Sequence, residues 1–314
     1  MLRPSKTMTL AIETISIFAY QGPNINSPEP GVLLRVRCDR DRRRRLRDAL
    51  KDGAQFIGLV LAGLTLESQP SPAGLLISAY FSTAEPALGA ALAAYVVEGI
   101  AAQTRDDQDW DREGPLFALQ QRRRREALPI SAVQRIAEAR ERRIPVLRRP
   151  DGLMQLGYGA RGWAFDPAAK PSPTPPWNAL GSIPIIAVTG ATQRPALIAR
   201  AVAELRSQGL QPAIGDEFSH AAIIALLADS TSQALVLGLD SAAILRHGLP
   251  FERCTRAIVG HMGDQRPPEA LDDAEWARAA ALPMLIADAP ALFDLADLRL
   301  QAVVGYAPYG VIGL

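Results

Sequence analysis

The 314-residue sequence contains few of the residues that form disulfide frameworks or transition-metal sites. It has two cysteines, Cys38 and Cys254, and three histidines, His220, His247 and His261. The cysteines lie far apart in the chain, and the histidines lack the spacing of a helical zinc motif. No histidine occurs in residues 1–166. The sequence therefore predicts buried, unreactive cysteines and no metal site.

Long apolar runs are also missing. No stretch reaches the roughly 18 uninterrupted apolar residues that a membrane helix needs, and no long apolar run follows the charges near the N-terminus. With 48% hydrophobic residues and a net charge of +1, the chain is long enough for two ordinary domains. We expect a cytoplasmic protein without a membrane partner.

Charge is distributed unevenly along the chain. Residues 1–166 hold 24 Lys and Arg against 19 Asp and Glu, whereas residues 167–314 hold 10 against 14. Arginines cluster at 39–51, 120–128 and 138–149. These clusters indicate either solvated helix faces or a surface for a polyanion or acidic partner. Interleaved acids and few neighbouring aromatics argue against nucleic acid as that partner.

A proline-rich segment divides the sequence into two halves of different pattern. Residues 166–182 carry five prolines and read as an extended linker. We predict an N-terminal domain over 1–166, the linker over 167–182 and a second domain over 183–314.

The N-terminal half mixes strand and helix patterns. Apolar runs predict strands at 9–20, 31–38 and 73–82, and two short strands around an Asp-Gly turn within 144–159. Helices are predicted over 40–51 and 86–103, and from Ser131 as the N-cap. This pattern predicts an α+β domain with a mostly antiparallel sheet.

Beyond the linker, short apolar strands alternate with helices. Strands are predicted at 183–190, 211–216, 233–240, 256–263, 282–288 and 300–307. Helices are predicted at 194–209 and 220–229. Continuous apolar strands with helical crossovers predict a parallel α/β sheet buried on both faces. Ligands of such sheets bind beyond the carboxyl ends of the strands, so the loops after residues 189, 238 and 260 are the expected functional region.

Residues 183–202, IPIIAVTGATQRPALIARAV, have the strand, turn and helix layout of a phosphate-binding loop. The Gly-Lys-Ser/Thr signature is missing. Gly190 keeps the turn, but Gln193 stands in place of the second glycine. Arg194 is bulkier than the usual lysine, and Pro195 removes both a hydroxyl and an N–H donor. The helix start is kept and most of the triphosphate contacts are not.

Several ordered segments resemble the cyanophycin synthetases. YQGPNINSPEPGVLLRVRCD at 20–39 is similar to the opening of their N-terminal domain, and residues 132–162, which end in QLGYGARG, are similar to its close. Residues 183–202 and 234–264 resemble their Mur-ligase-type segments. The resemblance implies a Mur-ligase-like parallel α/β domain of phosphate-loop (P-loop) type topology behind the N-terminal α+β domain. The proline-rich segment stands where those synthetases carry an ATP-grasp domain, and the resemblance stops before their C-terminal ligase domain.

Matched to that family, the catalytic positions are altered. The phosphate-loop Lys and Thr correspond to Arg194 and Pro195, and a metal-binding Glu corresponds to Gly238. The following Arg-Gly-Gly becomes 241–243, Ser-Ala-Ala. The Asn of the next loop is His261, and the Asp-His pair after it becomes 265–266, Gln-Arg. Of a nucleotide-contacting Asn-Ala-Asp-Asp element, only Asp288 is kept.

These changes favour a pseudoenzyme with a degenerate phosphate loop. Transfer of a phosphoryl group to a carboxylate depends on charge neutralisation by Lys and Mg²⁺, and the matching positions lack those groups. We expect no catalytic residue, no metal and no cofactor, with vestigial nucleotide or anion contacts at Gly190, Arg194 and Asp288. The partner would be a full-length synthetase or a polypeptide carrying both Asp and Arg groups.

Two alternatives stay open. A divergent ATP-dependent acid–amino acid ligase, forming amide bonds with Mg-ATP and a partner chain, would use Arg194 and Asp288. A repurposed scaffold in a homo-oligomeric assembly would use neither. Asn24 and Arg161 match family motifs and are candidate partner contacts, although the Gly-Pro-Asn sequence at 22–24 is also typical of a turn in which Asn bonds backbone groups.

Overall fold

The structure, a computed structural model, describes residues 11–72, 74–171, 173–216 and 219–314. Parts of two predicted strands, residues 9–10 and 73, lie outside the described residues. Contacts divide the chain into two compact units. The first holds the residues up to Gln21 and Glu29–Ala127, and the second holds Gly22–Pro28 and Leu128–Leu314.

The first unit is an antiparallel sheet with helices. In chain order its elements are β1 (Ile12–Tyr20), β2 (Gly31–Cys38), α1 (Arg43–Ile57), β3 (Ala62–Ser71), β4 (Gly74–Ser82), α2 (Pro86–Arg105) and α3 (Gly114–Glu126). The sheet order is β1-β2-β4-β3. Leu46 and Leu50 of α1 join Leu88 and Leu92 of α2 in one core. This arrangement confirms the predicted α+β class.

Strand β3 was not predicted. It is an edge strand in which Leu66 is the only buried side chain, so the alternation of apolar and polar residues that marks a half-buried strand is weak. Helix α1 begins three residues later than predicted and continues to Ile57, where Gly58 ends it in the left-handed conformation. Such a glycine is a common helix terminus.

Among the described residues, α2 is the one helix long and apolar enough, by length and composition, to cross a membrane. Half of its apolar window is buried inside the protein. Ten of its residues are buried, including Leu92, Val96 and Ile100. Since these side chains pack in the core of the first unit, α2 is a core helix of a globular unit.

The second unit begins with a helix and a small sheet. These are α4 (Ile130–Glu141), β5 (Val146–Arg148), β6 (Met154–Leu156) and β7 (Trp163–Phe165), and the three strands pair antiparallel in that order. The turn at Asp151-Gly152 is confirmed. The predicted N-cap at Ser131 is wrong, because the helix begins at Ile130 behind Pro129 and no side chain caps it.

A six-stranded parallel sheet forms the rest of this unit. Its elements are β8 (Ile185–Thr189), α5 (Arg194–Ser207), β9 (Pro212–Gly215), α6 (His220–Ala228), β10 (Ala234–Gly238), α7 (Ser241–His247), β11 (Arg256–Val259), α8 (Asp273–Leu285), β12 (Ala291–Phe293), α9 (Leu298–Gln301) and β13 (Val311–Gly313). The strand order is β13-β12-β11-β8-β10-β9. Helix α5 covers one face, while α6, α7 and α8 cover the other. The predicted parallel α/β sheet, buried on both faces, is confirmed.

Two of the six predicted strands are wrong. Residues 282–288 form the end of α8 and its exit, and residues 300–307 form the end of α9 and a 3₁₀ turn. The true strands are β12 and β13. Helix α8 is buried almost all round, from Ala279 to Met284, so it shows no 3.6-residue periodicity and its apolar run imitates a buried strand.

The contacts place the division between units earlier than the predicted boundary at residue 166. Residues 128–166 belong to the second unit. Tyr158 is fully buried in its core, where its hydroxyl accepts a hydrogen bond from the Glu252 amide at 3.0 Å. Gln155 donates to the Leu227 carbonyl at 2.9 Å.

The proline-rich segment also lies within the second unit, between β7 and β8. Its Leu180 is buried, and the Arg142 guanidinium stacks 4.8 Å from the Trp177 ring. The segment therefore packs on the unit at its C-terminal end instead of only spanning two domains.

Candidate functional site

The carboxyl edge of the parallel sheet is where a sheet of this type binds ligands. Gly190 follows β8 there with φ +102°, a left-handed conformation that favours glycine. A Cβ on Gly190 would lie 2.7 Å from the Gly260 carbonyl. The turn after β8 is thus held directly against the loop after β11.

The amide donors of this turn are already bonded. Both the Ala191 and Thr192 amides donate to the His261 carbonyl, at 2.9 and 3.3 Å. In a phosphate-binding loop, amides at these positions point at the ligand oxygens. Here a backbone carbonyl of the neighbouring loop occupies that place.

Gln193 and Arg194 complete the turn. Gln193 has φ +64°, the left-handed conformation of the glycine it replaces, which costs a residue with a Cβ about 1–2 kcal/mol. Arg194 opens α5, and its guanidinium donates to the Leu239 carbonyl at 3.3 Å. Hence Arg194 is tied to the end of β10.

A buried carboxylate lies under the loop after β11. Asp297 is 4% exposed and accepts from the Met262 amide at 3.1 Å and from two nitrogens of the Arg299 guanidinium at 2.8 and 2.9 Å. Burial raises its pKa, but the bonds from Arg299 and Met262 outweigh that effect and bring the pKa to about 2. Arg299 also donates to the Gly263 carbonyl and stacks 4.8 Å from the Trp276 ring. The Asp297 carboxylate is therefore already bonded to the Met262 amide and the Arg299 guanidinium, the groups that an external anion would need.

His261 lies beside this pair. Its Nδ1 accepts from the Gly263 amide at 3.0 Å, and its Nε2 lies 3.8 Å from the Asp297 carboxylate. The bond to Nδ1 orients the ring within its own loop. The His261 carbonyl accepts from the turn after β8, and the His261 side chain is itself held in place by its bond from Gly263.

The positions that correspond to metal contacts carry no carboxylate or imidazole side chain. A Cβ on Gly238 would lie 2.8 Å from the Ile198 side chain. Any side chain larger than that of glycine therefore fits at this position only if Ile198 shifts. Arg266 pairs with Asp273 at 3.3 Å. Over the described ranges, no group of three or more His, Cys, Asp or Glu side chains is arranged to hold a metal ion. A bound Mg-nucleotide does not fit these residues.

Asp288 lies at the other edge of the sheet. The Asp288 amide donates to the Cys254 carbonyl. Thr255, which follows Cys254 in the chain, donates through its amide to the Ile185 carbonyl at the start of β8. Five strand residues at about 3.3 Å each place this edge roughly 16 Å from Gly190. The Asp288 carboxylate is 47% exposed and pairs with Arg253 at 2.7 Å. Asp288 therefore lies apart from Gly190 and Arg194, and its nucleotide contact stays a prediction.

Asn24 and Arg161 both bond to nearby backbone. Asn24 is 2% exposed, and its Oδ1 accepts from the Asn26 and Ser27 amides at 3.0 and 3.2 Å. This is the turn interpretation of the Gly-Pro-Asn sequence. Arg161 extends toward the Leu180 carbonyl at 3.5 Å. The role of Asn24 and Arg161 as partner contacts stays a prediction.

The other two histidines lie together at the ends of α6 and α7. Their ring centroids are 6.1 Å apart. Burial, followed by the nearby His247, lowers the pKa of His220 to about 4. Burial, followed by the nearby Arg246, also lowers the pKa of His247. The part of the chain that the structure describes supplies no third ligand to the two rings.

The first unit contains an open groove of about 790 Å³ between α1, α2 and the segment before α3. Its floor is apolar and aromatic, formed by Phe56, Tyr95, Val96, Ile100, Trp110 and Leu116. The Tyr95 and Trp110 rings are 5.5 Å apart. A Cβ on Gly99 would lie 2.6 Å from the Trp110 ring, so this glycine lets the indole pack on α2.

Charged side chains of both signs form the rim. They are Arg40, Arg44, Arg45, Arg112, Asp41, Asp48 and Asp52. Asp41 is bonded to Arg43 at 2.7 Å, and Arg44 lies 3.8 Å from Asp48. Within the described ranges, no carboxylate pairs with Arg40, Arg45 or Arg112. Cations without an ion pair above an aromatic floor are a surface for anionic groups.

Each of the other two arginine clusters contains locally paired side chains. Arg122 bonds Glu126 at 2.9 Å, Arg142 bonds Glu138 at 2.7 Å and Arg149 bonds Asp151 at 2.8 Å. These contacts fit the solvated-face interpretation for 120–128 and 138–149. Only the cluster at 39–51 contributes to the groove.

The second unit is thus a three-layer parallel α/β unit in which a turn of phosphate-loop shape is closed by internal hydrogen bonds. The chain belongs to the family described as Domain of unknown function (DUF4938), whose model matches residues 11–314. No curated protein matches the chain.

Proposed function

We propose that this chain is a cytoplasmic, non-catalytic relative of the cyanophycin synthetases that acts as a binding, accessory or scaffold protein. The observation that carries the proposal is the closed turn after β8. The amides of Ala191 and Thr192 serve the His261 carbonyl, so they are not free to bind phosphate.

The neighbouring contacts support the same proposal. The Arg194 guanidinium donates to the Leu239 carbonyl, and the Arg299 guanidinium donates to the Asp297 carboxylate. Arg194 and Arg299, the two cations named at this edge, thus each have an internal partner. Displacing Arg299 from the buried Asp297 carboxylate would cost about 1–3 kcal/mol or more, because that carboxylate would lose its partner away from water.

The groove of the first unit is the binding surface in this proposal. Within the described residues it presents cations without an ion pair at Arg40, Arg45 and Arg112, and carboxylates at Asp48 and Asp52. A polypeptide with both carboxylate and guanidinium groups complements a rim of both signs. Its aliphatic parts would pack on the Tyr95 and Trp110 floor.

Titration with a synthetic Asp-backbone peptide bearing Arg side chains tests this function. Trp110 is the tryptophan of the groove, so we expect a saturable fluorescence change that is absent in Trp110→Phe. Arg40→Glu combined with Arg112→Glu should abolish binding. Arg47→Glu is the matched control, because Arg47 is exposed on α1, which borders the groove, but does not line it.

The signal should weaken as salt rises, since exposed charges are screened beyond about 10 Å at 0.1 M. Failure of the wild-type protein to bind either this peptide or a cyanophycin synthetase would overturn the proposed function. Binding that Arg47→Glu reduces as much as the double variant does would place the interaction outside the groove.

A further inference from the structure

Three of the four outer strands in the two larger sheets carry features that block further pairing. Strand β1 contains Glu13 and an irregular register, and β3 contains Glu67, Pro70 and a second irregularity. Strand β9 begins with Pro212 and is followed by Asp216. Charges, prolines and bulges of this kind protect sheet edges from other strands.

Strand β13 has none of these features. It is Val311–Gly313, and within the described residues it pairs only with β12. The whole segment 300–314 contains no charged residue. An uncharged strand with one open edge is a template for pairing with another chain.

Large apolar side chains are exposed around the same strand. Tyr306 is 66% exposed, Tyr309 58%, Ile312 55% and Leu314 45%. We call these four residues and the open edge of β13 the β13 surface. Exposed apolar patches with a polar surround mark interaction sites.

We propose that two copies of the chain associate through the β13 surface, with β13 antiparallel to its counterpart across a two-fold axis. A two-fold axis brings residues close to their own copies, so a charge in the segment would face an identical charge. The charge-free sequence avoids that repulsion, whereas a charged partner would find no complement. A standard interface needs about 800 Å² from each partner, so the pair would also bury surface beside these four side chains.

Light scattering after size exclusion tests the proposal. We expect a mass twice the 33.8 kDa of one chain. Ile312→Lys should reduce the mass to that of one chain, because it places two ammonium groups near the axis. Val60→Lys is the matched control and should keep the double mass, since Val60 is 73% exposed in the first unit.

Cysteine crosslinking gives an independent readout. The two native cysteines are buried, so Ile312→Cys adds the accessible thiol. Under mild oxidation it should yield a disulfide-linked pair of chains, and Val60→Cys should yield far less. A wild-type mass of one chain at high micromolar concentration would overturn the proposal, as would a double mass that Ile312→Lys leaves unchanged.

Discussion

Replacing Asp297 with Asn should destabilise the protein strongly at neutral pH. The carboxylate is buried and bonded to Met262 and Arg299, and its pKa is about 2 instead of 3.8. That difference corresponds to about 2 kcal/mol at 1.36 kcal/mol per pKa unit. The Asn amide also places a donor against donors, so we expect a total loss of about 2–4 kcal/mol.

The pH dependence has a definite sign. Because the pKa of Asp297 is depressed on folding, its contribution is complete above about pH 4 and is lost as the pH falls through 2. The difference in unfolding free energy between wild type and Asp297→Asn should therefore shrink between pH 4 and pH 2.

Urea unfolding followed by circular dichroism at several pH values measures this difference. Asp288→Asn is the control, because its carboxylate is 47% exposed in a surface pair and should cost no more than about 1 kcal/mol. A loss below 0.5 kcal/mol for Asp297→Asn, or a gap that stays constant from pH 7 to about 2, would refute the reasoning.

Three further substitutions probe the second unit. Gly190→Ala should cost about 3 kcal/mol or more, because its Cβ would meet Gly260 backbone at 2.7 Å, while Gly209→Ala, also at positive φ but in open space, should cost about 1 kcal/mol in thermal unfolding. Gln193→Gly should raise the unfolding free energy by about 0.5–1 kcal/mol, since it relieves the left-handed conformation at φ +64°; a loss of stability would contradict this. Tyr158→Phe should lower the unfolding free energy by about 1–3 kcal/mol, because the Glu252 amide loses the hydroxyl to which it donates. An unchanged melting temperature would contradict this.

The inner strands of the parallel sheet could be predicted because all their residues are apolar. Strands β8 and β10 are buried along their full length, and Gly190 ends the first of them. Their continuous apolar runs, separated by helices, are the signal of a parallel sheet. Because a continuous apolar strand ends at a glycine and a helix follows, the phosphate-loop shape of the turn could also be predicted.

The partners of that turn could not be predicted. The His261 carbonyl that holds the Ala191 and Thr192 amides is a backbone group, and it leaves no mark on side-chain patterns. Asp297 and Arg299 carried only a faint signal, an Asp that begins a short helix two residues before an Arg. Asp288 was predicted from its match to a nucleotide-contacting element of the resembling family, and such a match does not show at which end of the strands a residue lies.

The groove of the first unit was only half predictable. The arginine cluster at 39–51 was recognised, but the sequence cannot show which arginines find carboxylates. Asp39 and Asp41 neutralise Arg42 and Arg43. Arg112 and Trp110 come from a distant segment that tertiary packing brings to α1.

Calorimetric titration with Mg-ATP at millimolar nucleotide shows whether the turn after β8 binds nucleotide. We expect no saturable heat, because the amides after Gly190 are bonded to the His261 carbonyl and Arg194 to the Leu239 carbonyl. Saturable heat that disappears in Arg194→Ala would contradict this expectation and would show that the turn after β8 still binds nucleotide.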